Sequence, residues 1–284
     1  MARPLSLAPF CATVLLLSTA AAVASPQWSG ADIMAESARR HEHYPHVYEE
    51  QSLILDDAAG HRVSYRLRRF SRIEADGTLR LLLVFDDPPE VRGVALRSIH
   101  GPDGSRDTGL YLPAFGPRLK GGAVAARQSR LLGTDFTVGD LLPEDGDAFR
   151  YRRLEDRTLG EVPHYVVEAE LLEDSAGVSR RRHFLRQDNL FIVRTDYYDR
   201  RGRVEKTRTR FDLKAVDGDM WRADMVLMED HRRDHRSLIK VLRRVFSRDY
   251  VPARLFEADW LLTNSHIEDT AAVPAVAPAG DGEG

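Results

Sequence analysis

Three groups of residues have the types and spacing that chemistry could use. His231 and His235 stand four apart in Glu229-Asp230-His231-Arg232-Arg233-Asp234-His235. On a helix that spacing would align two imidazoles as metal ligands. Here the segment lies between two strand-like runs, so it reads as a hairpin tip, and Arg232 and Arg233 oppose a cation. His41, His43 and His46 sit near the end of an expected helix, where protonated side chains complement the C-terminal dipole. Asp135 and Asp140, in Gly133-Thr134-Asp135-Phe136-Thr137-Val138-Gly139-Asp140-Leu141, resemble a catalytic acid pair. Thr137 and Asp140, however, form a capping box, Phe136 can pack onto Leu141, and Pro143 stops the element, which predicts a capped helical turn on a sheet.

Enzyme signatures are missing. There is no Gly-x-Ser-x-Gly elbow, dinucleotide fingerprint, P-loop or His-Glu-x-x-His motif. The expectation is a protein that is not an enzyme and takes no cofactor and no metal.

Composition narrows the class further. The chain has 284 residues, 43% hydrophobic and 30% charged, with 41 basic against 44 acidic side chains. A net charge of −3 gives no general attraction to nucleic acid, and the chain is too apolar to be disordered throughout. Residues 1–24 differ from the rest: Arg3 is a positive start, Leu5 to Leu17 is apolar, and Ala20 to Ala24 are small residues before Ser25. That is the pattern of a secretory signal, with cleavage expected after Ala24 and an exported, periplasmic product. Cleavage removes Cys11, the single cysteine, so disulfides and thiolate ligands are excluded from the mature chain. No later stretch of the mature chain is apolar for long enough to make a transmembrane helix.

The elements are mostly strands. Ser29 and Asp32 make a capping box for a helix of about a dozen residues, to near His41, with Trp28 placed to pack on Ile33. Then the period becomes two. Val63, Tyr65 and Leu67 alternate with arginines, which predicts a strand with one buried and one wet face. Strand patterns follow at Leu79 to Phe85, Arg92 to Ile99, Tyr165 to Leu171, Arg182 to Arg186, Phe191 to Tyr198, Val204 to Leu213, Trp221 to Met228 and Leu238 to Phe246, separated by turn residues. About nine short-spaced strands with few helices imply a large antiparallel sheet that must curl to bury its apolar face. Residues 113–130 read as a long loop. The arginines, spread over the strands among acids, read as solvated faces, with an anionic lipid head-group patch as the alternative.

The chain also resembles a known family. Phe85, Pro88, Arg92-Gly93, Leu110-Tyr111-Leu112-Pro113-Ala114, Leu132 to Thr137 and Asp140-Leu141 follow the order seen in LolA-like outer-membrane lipoprotein-sorting proteins. Glu229-Asp230 and Pro252 before Leu255-Phe256 continue the likeness, over roughly residues 28–262. The Gly133, Thr134, Asp135, Phe136, Thr137, Asp140 and Leu141 motif is its most specific part, although the family usually has an aromatic and an acid where this chain has Val138-Gly139. The resemblance implies a mainly β (α+β) fold: a half-open antiparallel β-barrel, its concave side covered by an N-terminal helix and a short helical turn. It further implies a periplasmic carrier of lipid or lipoprotein acyl chains, with an inner-membrane exporter of the resistance-nodulation-division type as a partner.

On that reading the domains are a signal peptide at 1–24, a carrier domain at 25–262 and a disordered Ala/Pro/Gly-rich tail at 263–284. The expected cavity wall is Val63, Tyr65 and Leu67, then Leu81, Leu83 and Phe85, then Val94 and Leu96, and finally Trp221, Met225 and Leu227. An acyl chain has no polar handle. Each buried methylene contributes about 0.8 kcal/mol, so a dozen give on the order of 10 kcal/mol without any special residue. The alternative is an envelope scaffold whose apolar faces pack a filled core.

Overall fold

The computed structural model describes residues 28–42, 44–113, 119–121, 129–142, 144, 146–172, 178–263 and 266. The expected signal peptide and the tail from Ala271 to Gly284 lie outside the described residues. The first element is α1 (Gly30–His41), opened by the expected capping box: Asp32 N–H donates to Ser29 Oγ, and Asp32 carboxylate accepts from Ser29 N–H at 3.0 Å. Gly30 is required by a close approach. A Cβ there would stand 2.7 Å from the backbone nitrogen of Arg153.

Strands follow in the order β1 (His46–Asp56), β2 (Arg62–Ile73), β3 (Leu79–Asp87), β4 (Ala95–His100), β5 (Arg106–Tyr111) and β6 (Leu119–Gly121). After the segment 129–142 come β7 (Phe149–Arg153), β8 (Arg157–Leu159), β9 (Val162–Leu171), β10 (Val178–Arg186), β11 (Ile192–Asp199), β12 (Val204–Asp217), β13 (Met220–Asp230) and β14 (His235–Val245). They form one antiparallel sheet of 14 strands, ordered β6-β5-β4-β3-β2-β1-β14-β13-β12-β11-β10-β9-β7, with β8 also on β9. Nearly every neighbour pair is a sequential hairpin; the exceptions are β1 on β14, which joins the two halves, and β7 on β9. β6 and β7 leave the sheet open at its ends among the described residues.

The sheet has apolar packing on both faces of its first half, which differs from the expectation of one buried and one wet face. On the concave face Leu53, Tyr65, Leu67, Leu81, Leu83, Phe85, Val94 and Leu96 pack with Leu131, Phe136, Val138 and Leu142 of the 129–142 segment. On the convex face Tyr48, Phe70, Leu82, Val84, Ala95 and Tyr111 pack with Val251, Leu255, Phe256, Trp260 and Leu261. Val251 caps a 3-10 turn (Arg248–Tyr250), Leu255 and Phe256 belong to a second (Ala253–Phe256), and Trp260 and Leu261 belong to α2 (Ala258–Leu262). Arginines on the convex face are therefore covered too. Arg68, Arg72 and Arg97 donate to the carbonyls of His266, Val251 and Phe256 respectively. His266 itself, beyond the expected domain end at Leu262, is fully buried, against Tyr111 and Trp260. A third cluster seats α1: Ile33 packs on Val167 and Leu185.

Candidate functional site

The 129–142 segment, which carries the family motif, is held to the sheet by a fully buried carboxylate. Asp135 accepts from Arg130 Nη1 at 3.0 Å and from Ser237 Oγ at 2.8 Å, and its own N–H donates to the same Ser237 hydroxyl. Arg130 also pairs with Asp230. Gly133 takes φ +80° in the tight turn that returns Thr134 N–H to Leu131 carbonyl. Thr137 and Asp140 form the expected capping box, on a 3-10 turn (Val138–Leu141). Lys206 Nζ then donates both to Asp135 carbonyl (2.9 Å) and to Asp140 carboxylate (3.4 Å). The motif thus works as a staple, and neither acid is set up as a proton-transfer pair.

Burial alone would push the Asp140 carboxyl up, but Lys206 and Arg208 outweigh it and hold it at about 2, below its ordinary 3.8. A depressed carboxyl contributes stability above its unfolded pKa and loses it as pH falls through the folded value. Acid unfolding should therefore extend between about pH 4 and 2, and Asp140→Asn should flatten that limb; denaturant midpoints measured across pH 2–6 check this.

Between the concave face and its cover lies a cavity of about 410 Å³. Its lining comes from α1 and the motif segment and from β1, β2, β3, β11, β12, β13 and β14, so the sheet wraps around it. One part of the lining is apolar: Val47, Leu79, Leu83, Phe136, Leu141, Leu142, Val226, Ile239 and Val241. Charged side chains alternate with it along the same strands and between neighbours, as Glu49 with Val47, Arg69 with Leu83 and Arg210 with Val226. Glu49, almost wholly buried, receives Arg244 Nε at 2.6 Å and lies 3.5 Å from Arg69. Arg208, Arg210 and Arg222 complete the charged part of the lining.

Of the expected wall residues only Leu83 borders this cavity. Tyr65, Leu67, Leu81, Phe85, Val94 and Leu96 share its face but are packed shut beneath Phe136 and Leu142. Val63 has the same parity, at the rim, and is 39% exposed. Trp221 does not border the cavity, and Met225 and Leu227 are a correction. The register pairs Val226 with Ile239 and Met228 with Ser237, so Val226 and Met228 point into the concave core and Met225 and Leu227 point outward. The strand has apolar residues at both parities, and only its neighbours decide which set faces in. Met225 stands opposite the exposed Phe211.

Sequence reasoning missed the cationic part of the lining. Its signal was present: Lys206-Thr207-Arg208-Thr209-Arg210 alternates, which places three cations on one strand face. Of the histidines singled out above, His41 borders the cavity, whereas His231 and His235 lie elsewhere. The β13–β14 hairpin carries His231 and His235 on a separate polar cleft of about 640 Å³, with Asp56, Asp57, Arg62 and Arg236. His231 Nε2 lies 2.9 Å from Thr207 Oγ1. Among the described residues no three donors are grouped to hold a metal ion.

An open antiparallel sheet wrapped around a covered cavity, with an N-terminal helix and a stapled segment as the cover, is the LolA-like fold. Three solved structures share it. A domain provisionally named an outer membrane lipoprotein-sorting protein, from Vibrio parahaemolyticus, is 23% identical with a TM-score of 0.76, over 82% of this chain and 98% of that one. A DUF1329 family protein from Desulfovibrio piger is 20% identical with a TM-score of 0.71, over 80% and 98%. A LolA superfamily protein from Nitrosomonas europaea is 15% identical with a TM-score of 0.65, over 82% and 99%. No curated protein matches the sequence. Residues 77–263 match a family model described as "Uncharacterized protein", and the chain belongs to that family. No helix among the described residues is long and apolar enough to cross a membrane.

Proposed function

We propose that the protein is a periplasmic carrier that binds lipid or lipoprotein acyl chains between the concave face and its cover, and that it does so without catalysis. The observation that carries the proposal is the preformed cavity of about 410 Å³, whose lining includes Val47, Leu79, Leu83, Leu142, Val226 and Val241. Its size falls in the usual range for small-molecule sites, and burying methylenes against those side chains supplies affinity without any reactive group. The name given to the Vibrio structure, which shares the fold, supports lipoprotein sorting as the context. Export through the signal at 1–24, the carrier domain at 25–262 and delivery to or from an inner-membrane exporter belong to the same proposal.

The filled core under Phe136 and Leu142 favours a second reading, an envelope scaffold that binds no lipid. Val226 separates the two. It is half-buried on the cavity wall, so Val226→Trp fills the space at a stability cost of about 1–3 kcal/mol. Wild type purified from cells should carry lipid by native mass spectrometry. After delipidation it should bind the neutral fluorophore N-phenyl-1-naphthylamine, with Val226→Trp folded but at least tenfold weaker. A wild type that carries no lipid and binds no probe leaves the scaffold.

A further inference from the structure

We infer that Arg208, Arg210 and Arg222 form a subsite for an anionic head group, a phosphate or a carboxylate, on the ligand that occupies the cavity. The inference rests on the carrier reading and adds to it the chemistry of the ligand's polar end.

The three arginines are unlike the other cations nearby. Arg69 and Arg244 both meet Glu49, and Arg244 also meets Asp224 at 2.6 Å. Lys206 is consumed by Asp135 carbonyl and Asp140. Arg208, Arg210 and Arg222, by contrast, have no carboxylate within ion-pairing distance among the described residues. Arg210 donates from Nη1 to the Ile192 carbonyl at 3.1 Å, and Arg222 donates to the His41 carbonyl. Arg208 donates from Nη1 to the Asp140 carbonyl at 3.3 Å, while its buried Nε has no acceptor.

The acids of the lining make no ion pair with this group: Glu49 is taken by Arg69 and Arg244, Asp140 pairs with Lys206 and feels Arg208 only at longer range, and Glu42 is exposed. The result is a cationic excess in a space that excludes much of the water. Burial, followed by Arg208, pushes Arg210 down to about 9; burial, followed by Arg69, pushes Arg222 down to about 10. Such a charge is costly to hold unless something compensates it.

Placement supplies the ligand's orientation. Arg208 and Arg210 are two residues apart on β12, on one face and about 7 Å apart along the strand. Arg210 pairs in register with Val226, a member of the apolar lining. A ligand with its chain on that lining therefore brings its head to guanidinium groups whose planar forks suit two oxygens at once.

Three probes test this: hexadecyl phosphate, hexadecanol and inorganic phosphate, each titrated by calorimetry into the delipidated full-length mature protein and into Arg210→Gln/Arg222→Gln. Hexadecyl phosphate should bind wild type at least tenfold more tightly than hexadecanol. The double variant should bring it level with hexadecanol, leave hexadecanol unchanged and stay folded, since it removes two charges that have no carboxylate partner along with one hydrogen bond each to the Ile192 and His41 carbonyls. Equal wild-type affinity for the two amphiphiles, with no binding of inorganic phosphate, overturns the subsite and leaves the carrier standing. Variant-sensitive binding of inorganic phosphate, with neither amphiphile bound, keeps the anion site for a free anion and overturns the carrier. A double variant that melts well below wild type and keeps the tenfold preference shows the arginines to be structural.

Discussion

Asp135→Ala is expected to lower the stability of the fold by about 3–5 kcal/mol, the range for removing one partner of a buried ion pair. Arg130 is partly exposed, so solvent can recover some of the lost interaction and the lower end applies. The carboxylate is fully buried, and its loss strands Ser237 Oγ, which donates to it at 2.8 Å. It also loosens the segment that carries Phe136, Val138 and Leu142 onto the concave core. Asp135→Asn keeps an acceptor for Ser237 and should cost less. Urea denaturation midpoints of the two variants check the order, and a double-mutant cycle with Arg130→Ala isolates the pair. A stable Asp135→Ala protein with altered probe binding would instead show that the motif acts on ligand.

How much of this was legible in the sequence differed by element. Both capping boxes were, because Ser29/Asp32 and Thr137/Asp140 are local patterns that need no partner. The antiparallel sheet was as well, since hairpin turns and alternation are short-range. β1 was not. Its concave residues run Val47, Glu49, Gln51, Leu53, and the two polar members disguise a strand whose Glu49 is neutralised by Arg69 and Arg244 from β2 and β14. The outward face of β13 was misassigned for the same reason, because parity is a property of the register with β12 and β14. The family motif was found, but its role as a staple depends on Ser237, a hundred residues away in sequence. The arginines of β12 were visible as an alternation, yet which face they share is decided by the curl of the sheet.

Leu79 to Phe85 reads as nearly continuous apolar sequence, and the reason is the second layer. Leu81, Leu83 and Phe85 face the concave core, while Leu82 and Val84 face Val251, Leu255, Phe256 and Trp260. Phe256 is fully buried there, and its carbonyl accepts from Arg97 Nη1 at 3.1 Å. Phe256→Ala is therefore expected to cost about 3–5 kcal/mol, through lost burial and the cavity left behind. The segment lies on the convex side, away from the ligand cavity, so the two effects should separate. At a temperature where the variant is still folded, its affinity for N-phenyl-1-naphthylamine should equal that of wild type, while its thermal midpoint falls by several degrees. Affinity lost in step with stability would mean that the sheet transmits convex packing to the concave wall. In that case the C-terminal segment, which grips β2 and β4 through Arg72 and Arg97, would set the shape of the cavity as well as support the fold.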